Sequence, residues 1–347
     1  MTQKLEIHGM DNSTMVEVVR KMHSDIAIPR IGLDYLPFKD VATEEVTWDI
    51  VRAASPMADF RAVDGESKIR GKRAFDRGYA DVVSISEKER FTTTELRKIR
   101  EAGKLPTVDG TKSLISQQGA DAERKIRDSL SDMKLSIDNR IEWMQINALL
   151  GTISYAGRVK FDVDFAIPGN QTGVTPTTAW SDTANSNPLE DIQTWQIQVQ
   201  DEFGILLDEV IMSRKTLNYI SQNENLQNVM QYTIPMLSVE KAKEVIEDNA
   251  GIKIRVYDAA YTDIHGDNRT RFLPQNKIIM LPSKEQMPEG LGKTFRTGHP
   301  LADYTPGYYT WQEPKSDPYG LEVGVGMDCF PAIQHPEALF NADVWSL

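Results

Sequence analysis

The sequence predicts an α+β protein organised around one very long helix. Three patterns carry that expectation: an apolar stripe at helical spacing over residues 120–150, alternation of apolar and polar residues over 159–167, and a run of strand and helix signals over 205–281.

In the first pattern, Ile126, Leu130, Met133, Ile137, Ile141, Met144 and Ala148 recur at spacings of four and three, which draws one stripe along a helix and fits no strand. Thirty residues at 1.5 Å each give a rod roughly 45 Å long. Ile126, Ile137 and Ala148 repeat every 11 residues, so the stripe does not specify a left-handed heptad zipper, and the helix is expected to lie on its own protein. Leu135, Ile146 and Leu149 add a second apolar face to the later turns, so that half is expected to be covered on two sides. Gly151 is the expected stop.

Before the helix, residues 1–40 contain a short amphipathic piece, Met15 to Met22, and proline-marked extended chain at Pro29 and Pro37. They hold too few apolar residues for a core and read as an arm that needs something else to lie on. A strand follows, with Val46, Trp48 and Ile50 alternating against polar neighbours. Residues 58–83 are charged and punctuated by Gly65, Gly71 and Gly78, the pattern of a long projecting hairpin. Val82, Val83 and Ile85 return as a strand, and Glu95 to Ala102 read as a short helix ended by Gly103 and Pro106.

After the helix, Val159, Phe161, Val163, Phe165 and Ile167 alternate with polar residues, and Gly157 makes 152–167 a hairpin. A polar loop leads to a helix from Leu189 to Phe203 with Pro188 at its start. From there the chain predicts a smaller α/β unit: a strand over 205–212, a helix over 213–230, a second helix over 239–249 ended by Gly251, and a strand over 252–257. A turn at Gly266-Asp267-Asn268 is expected to pair 256–261 with the strand 277–281. The remainder is rich in Pro, Gly and aromatics, with a strand at 321–325, and no internal repeat is visible.

Composition narrows the function class. The chain of 347 residues is 40% hydrophobic and 26% charged, with a net charge of −12, which argues against gripping nucleic-acid backbone as its main work. One cysteine, Cys329, excludes an internal disulfide and reads as a buried hydrophobe. The N-terminus lacks a secretory pattern and no run of 18 apolar residues occurs, so a cytosolic site of synthesis is expected.

Catalytic motifs are missing: there is no GxSxG, HExxH, P-loop or CxxC. Asp162 and Asp164 share one strand face roughly 6.6 Å apart, a spacing that could hold a metal or divide acid and base roles, set against two solvent-facing positions of an alternating strand. Asp258, Asp263, His265 and Asp267 resemble a calcium loop, but Asn268 and Pro274 occupy the positions that need glycine and glutamate. The basic hairpin residues, extended by Arg90, Arg97, Lys98 and Arg100, could meet phosphates, yet acids interleave them and only Phe75 and Tyr79 offer stacking. His8, His23, His265, His299 and His335 lack metal-ligand spacing.

The element order and four segments carry a resemblance. LLGTISYAG leading into the 159–167 strand, AWSDTANSNPLEDIQTW, RVYDAAYTDIHGDNRTRFLPQNKIIMLPS and FPAIQHPEALFNADV are similar to the major capsid proteins of tailed phages, more narrowly the lambda-type capsid E family. The resemblance implies the Hong Kong 97-type phage capsid fold: an N-terminal arm over 1–44, a peripheral-domain strand over 45–55, an extended E-loop over 56–84 and a peripheral domain over 85–203 with its spine helix at about 114–150. It further implies an axial α/β domain over 204–283, a return through the peripheral domain over 284–331 and a C-terminal axial strand over 332–347.

The function so implied is structural. Copies of the chain assemble through pentamers and hexamers into an icosahedral shell that encloses double-stranded phage DNA and later expands, with no catalytic, cofactor or metal residues. The implied partners are further copies, a portal protein, and scaffolding and decoration proteins. The implied locations are the virion capsid and, during assembly, the host cytoplasm. A polar arm and hairpin suit such a role, since they can bury against neighbouring chains what they cannot bury at home, and head-to-tail contacts close into rings. Arg61, Lys68, Arg70, Lys72, Arg73 and Arg77 are the expected inter-subunit contacts of the E-loop. Two rivals remain at this point: an encapsulin-like compartment with a cargo enzyme, and an enzyme using Asp162 and Asp164.

Overall fold

The computed structural model describes residues 12–21, 29–43, 45–50, 76–92, 113–157, 160–230, 238–262, 268–317 and 319–346. The predicted short helix at 95–102, most of the hairpin, and Asp263, His265 and Asp267 lie outside them.

In chain order, the elements begin with helices α1 (Asn12–Lys21) and α2 (Gly32–Tyr35) and strands β1 (Phe38–Asp40), β2 (Glu45–Ile50), β3 (Asp76–Asp81) and β4 (Val83–Thr92). The long helix α3 (Ser113–Leu149) is followed by β5 (Thr152–Ala156), β6 (Lys160–Asp164) and α4 (Pro188–Phe203). Next come β7 (Glu209–Met212), α5 (Arg214–Ser221), α6 (Glu224–Met230), α7 (Val239–Ala250), β8 (Lys253–Val256), β9 (Ala260–Thr262), β10 (Arg269–Arg271) and β11 (Lys277–Leu281). Strands β12 (Gly292–Arg296), β13 (Tyr309–Ser316), β14 (Tyr319–Ile333) and β15 (Phe340–Asp343) close the chain.

The stripe from Ile126 to Ala148 is buried throughout, and Ile146 and Leu149 bury the second face of the later turns. Gly151 takes φ 98° directly after the helix, a conformation that costs glycine little. The stripe packs on Phe91 of β4 and on Leu321, Val323, Val325 and Met327 of β14 in one large core. That sheet has β14 at its centre, with β4 along one edge and β12 and β13 in succession along the other. Residues 297–308 leave the sheet between β12 and β13, and β1 adds in parallel to β12.

A four-stranded sheet, ordered β15-β11-β7-β8, separates this core from a second one. Ile211, Ile279 and Leu281 face the first core. Val210, Met212, Ile278 and Met280 face Trp180, Trp195 and the helices α4, α5 and α7. Ser213 and Ser238 cap α5 and α7 by accepting from Thr216 N and Lys241 N, and Gly204 and Gly251 end α4 and α7 in the left-handed region. Among the described residues no helix is long and apolar enough to cross a membrane.

Several sequence expectations differ from this picture for identifiable reasons. The helix expected over 213–230 breaks at Asn223, whose Oδ1 accepts from Leu226 N and starts α6 afresh. The strand expected over 205–212 begins only at Glu209. Strand β9 pairs with β10 and not with β11, because Phe272, Leu273 and Pro274 redirect the chain and β11 buries between β15 and β7. The expected strand at 321–325 is the middle of a 15-residue strand. Its alternation is hidden by Gly324 and Gly326, over which the rings of Trp311 and Tyr309 lie directly across the ladder. Part of the predicted arm also lies on its own chain. Met15, Val19, Tyr35 and Leu36 are buried in the first core, and Arg20 donates to the carbonyls of Thr305, Pro306 and Tyr308.

Candidate inter-subunit surfaces

At the two ends of the expected hairpin, β2 and β3 pair in antiparallel register from Glu45↔Asp81 to Ile50↔Asp76. Its inner face carries Val46 and Trp48, both buried. The Trp48 indole lies 6.3 Å from the rings of Phe165 and Phe330, which ties the ribbon to the main core. Gly78 sits directly opposite Trp48, and a Cβ there would come closer than 3.0 Å to the indole, so only glycine lets the ring lie flat across the ribbon.

The outer face presents Glu45, Thr47, Asp49, Arg77, Tyr79 and Asp81 to solvent. Tyr79 is 76% exposed, unusual for an aromatic residue with no further role. Arg77 Nε reaches Asp49 Oδ1 across the ladder at 3.3 Å, with side chains 71% and 54% exposed. Of the six predicted contact residues Arg77 is the one described, and the structure pairs it within its own ribbon; Arg61, Lys68, Arg70, Lys72 and Arg73 lie outside the described residues.

The other candidates resolve into structural roles. Asp162 and Asp164 are exposed on β6, and Asp164 Oδ1 accepts from Ala166 N at 2.8 Å, closing the turn after the strand. No cluster of three or more metal-ligating side chains occurs among the described residues. Asp258 pairs with Arg271. On the sheet surface Lys88 bonds Glu322 at 3.0 Å, and Arg90 stands opposite Glu322 in register, so this part of the basic patch is answered by the protein's own acid. Cys329 is fully buried in β14, and burial pushes its thiol up to about 12.

One polar cluster was not anticipated. Glu142 of α3 is buried and its Oε1 accepts from Ile31 N at 2.9 Å and from the Tyr257 hydroxyl at 2.7 Å, while Gly32 N lies 3.2 Å from both carboxylate oxygens. Burial pushes its carboxyl above the usual range, against the opposing pull of the Tyr257 and backbone hydrogen bonds. Glu142 stands between Ile141 and Trp143 in the doubly apolar half of the helix, and an acid in such a setting was the available signal.

A long helix crossing a sheet on one core, with a second sheet and its own helices on another, is the arrangement of a shell subunit of the Hong Kong 97-type fold. The sequence model of the family described as phage major capsid protein E matches residues 14–344, and the chain belongs to that family. It is therefore a structural protein of a phage capsid and not an enzyme. Among solved structures, a protein described as a prophage capsid protein from Escherichia coli CFT073 shares the fold, with TM-score 0.62 and 14% identity over 96% of this chain and 99% of the other. A phage-related protein from Bordetella bronchiseptica RB50 does so with TM-score 0.52 and 14% identity over 95% of each chain. No curated protein matches the sequence.

Proposed function

We propose that copies of this chain associate head to tail into pentamers and hexamers, and that these close into an icosahedral shell around double-stranded phage DNA. From the arm over 1–44, part of which lies on its own chain, and from the E-loop over 56–84, whose residues 76–81 pair with β2, further segments reach across neighbouring subunits, with Arg61, Lys68, Arg70, Lys72, Arg73 and Arg77 meeting acidic groups there. The axial domain over 204–283 faces the centre of each ring. Assembly takes place in the host cytoplasm, with a portal protein at one vertex and scaffolding and decoration proteins as further partners. The net charge of −12 suits an inner wall from which packaged phosphate is repelled.

The observation that carries the E-loop assignment is the hairpin root: Trp48 and Gly78 fix one face to the core while the opposite face leaves Tyr79 and Arg77 in solvent. A ribbon so anchored fixes where the E-loop leaves the body, which a contact arm requires. The test replaces residues 61–73 by a short Gly-Ser turn and compares parent and variant by sedimentation and electron microscopy. The variant is expected to keep the parent's circular dichroism and to form no shells. Shells of parental diameter from the variant would sink the assignment.

A further inference from the structure

Two cores meet at the four-stranded sheet, and Ile211, Ile279 and Leu281 of that sheet bury in the same apolar core as the stripe of α3. Apolar burial has magnitude but little direction, so by itself it sets how close the sheet and the helix lie and not the angle between them. Directional groups must supply the angle: Asn341 Nδ2 of β15 donates to Leu149 O at the end of α3 at 3.2 Å, and a larger set of polar bonds gathers on seven residues of the N-terminal segment.

On its α3 side, Arg30 Nη1 bonds Asp138 Oδ2 at 2.9 Å, the Glu142 carboxylate accepts the Ile31 and Gly32 amides, and Gln145 Nε2 donates to Leu36 O at 3.2 Å. On its sheet side, Arg255 of β8 bonds Asp34 Oδ2 at 2.7 Å and the Tyr35 hydroxyl at 2.9 Å. That hydroxyl donates to Glu209 Oε2 of β7 at 2.9 Å. Tyr257, just after β8, closes the circuit by donating to Glu142. The fit is tight: a Cβ on Gly32 would stand 2.7 Å from Gln145 Cβ and 2.9 Å from Glu142 Oε2.

We infer that residues 30–36 are a keystone that fixes the angle between the long helix and the four-stranded sheet, with Glu142 and Arg255 as its positioning residues on the two sides. All of its bonds except Gln145–Leu36 join a charged group to a partner in a fixed direction, so rotation of one body on the other breaks several together. If subunits form a shell, that angle sets the curvature of the wall; this consequence rests on the shell reading, whereas the keystone itself does not.

The test measures the angle directly. Spin labels at Lys125→Cys on α3 and Glu244→Cys on α7, both exposed positions, report the distance between the two bodies, and buried Cys329 takes no label. The parent is expected to give one narrow distance distribution. Asp34→Ala combined with Arg255→Met is expected to broaden it at least about twofold and to speed amide exchange over 31–36 about tenfold. Asp34→Asn alone, mild enough to preserve folding, is expected to give a smaller broadening in the same direction. Glu142→Gln, which keeps Oε1 as an acceptor, is expected to stay close to the parent. Unchanged widths in both sheet-side variants overturn the keystone. Broadened widths with shells of unchanged, uniform diameter overturn the curvature consequence.

Discussion

At the hairpin root an indole lies on Phe165 and Phe330 with Gly78 across the ladder from it, and Trp48 Nε1 is buried without an acceptor among the described residues. At residues 30–36 a buried carboxylate and the Arg255 guanidinium are each met by several partners, while Arg30 Nε and Nη2 and Gln145 Oε1 are buried without one among the described residues. The two regions solve one problem, fixing a segment against the rest of the fold, and beyond the apolar burial both share they do so by different physics. The root uses shape, which tolerates an unpaired donor at a cost of about 1–3 kcal/mol because the ring contributes more through burial. The keystone uses charge-assisted hydrogen bonds, which contribute less net energy but fix orientation. A shape contact should fail through volume changes and be indifferent to pH, and a charged one should behave the other way.

Volume changes at the root test the first half and carry the largest expected effects. Trp48→Ala is expected to cost about 3–5 kcal/mol in urea unfolding, since it empties a fully packed site. Gly78→Ala forces the indole to move and is expected to cost about 1–3 kcal/mol, with the strand pairing intact in amide exchange. A Gly78→Ala protein as stable as the parent would mean that the ring has room the packing does not show.

How far these regions could be read in advance differs in the same way. The Val46, Trp48, Ile50 alternation announced a ribbon with a buried face, because a period of two survives in the sequence. The stripe of α3 was legible for the same reason, and so were the stops at Gly151 and Gly251. The keystone was not, since it joins residues 30–36 to 138–145 and 209–257, and pairings at that separation leave no local period. Even so, Glu142 amid apolar neighbours marked one end of it. The long strand β14 escaped because its glycines are completed by rings from β13, a complementarity between two strands that neither displays alone.

The pH dependence sharpens the charged half. Burial raises the Glu142 carboxyl in the folded protein, so the folded state holds its proton more tightly than the unfolded chain. Stability from this group is fully present below the unfolded carboxylate range near 4.5 and is lost as pH rises from there through the raised folded value. Glu142→Gln removes the titration while keeping Oε1. The free-energy difference between parent and variant in urea is therefore expected to shift in the variant's favour as pH is raised from 4 to 7. A pH-independent difference would show that the hydrogen bonds from Tyr257, Ile31 and Gly32 cancel the burial effect.

The smallest expected effect on stability belongs to Arg77, and it separates folding from assembly most cleanly. Its bond to Asp49 is exposed on both sides, so Arg77→Ala is expected to change unfolding free energy by less than about 1 kcal/mol. If Arg77 also meets a neighbouring subunit, the same substitution is expected to reduce shell yield in sedimentation, and 1 M salt should reduce the parent's yield in the same sense, because charges are then screened within about 3 Å. Lys88 provides the control: its bond to Glu322 is made within the sheet, so Lys88→Ala is expected to leave shell yield and its salt dependence at the parental level. Equal loss of yield in the two variants would mean that net charge governs assembly, and the hairpin would then have no special claim on the contact.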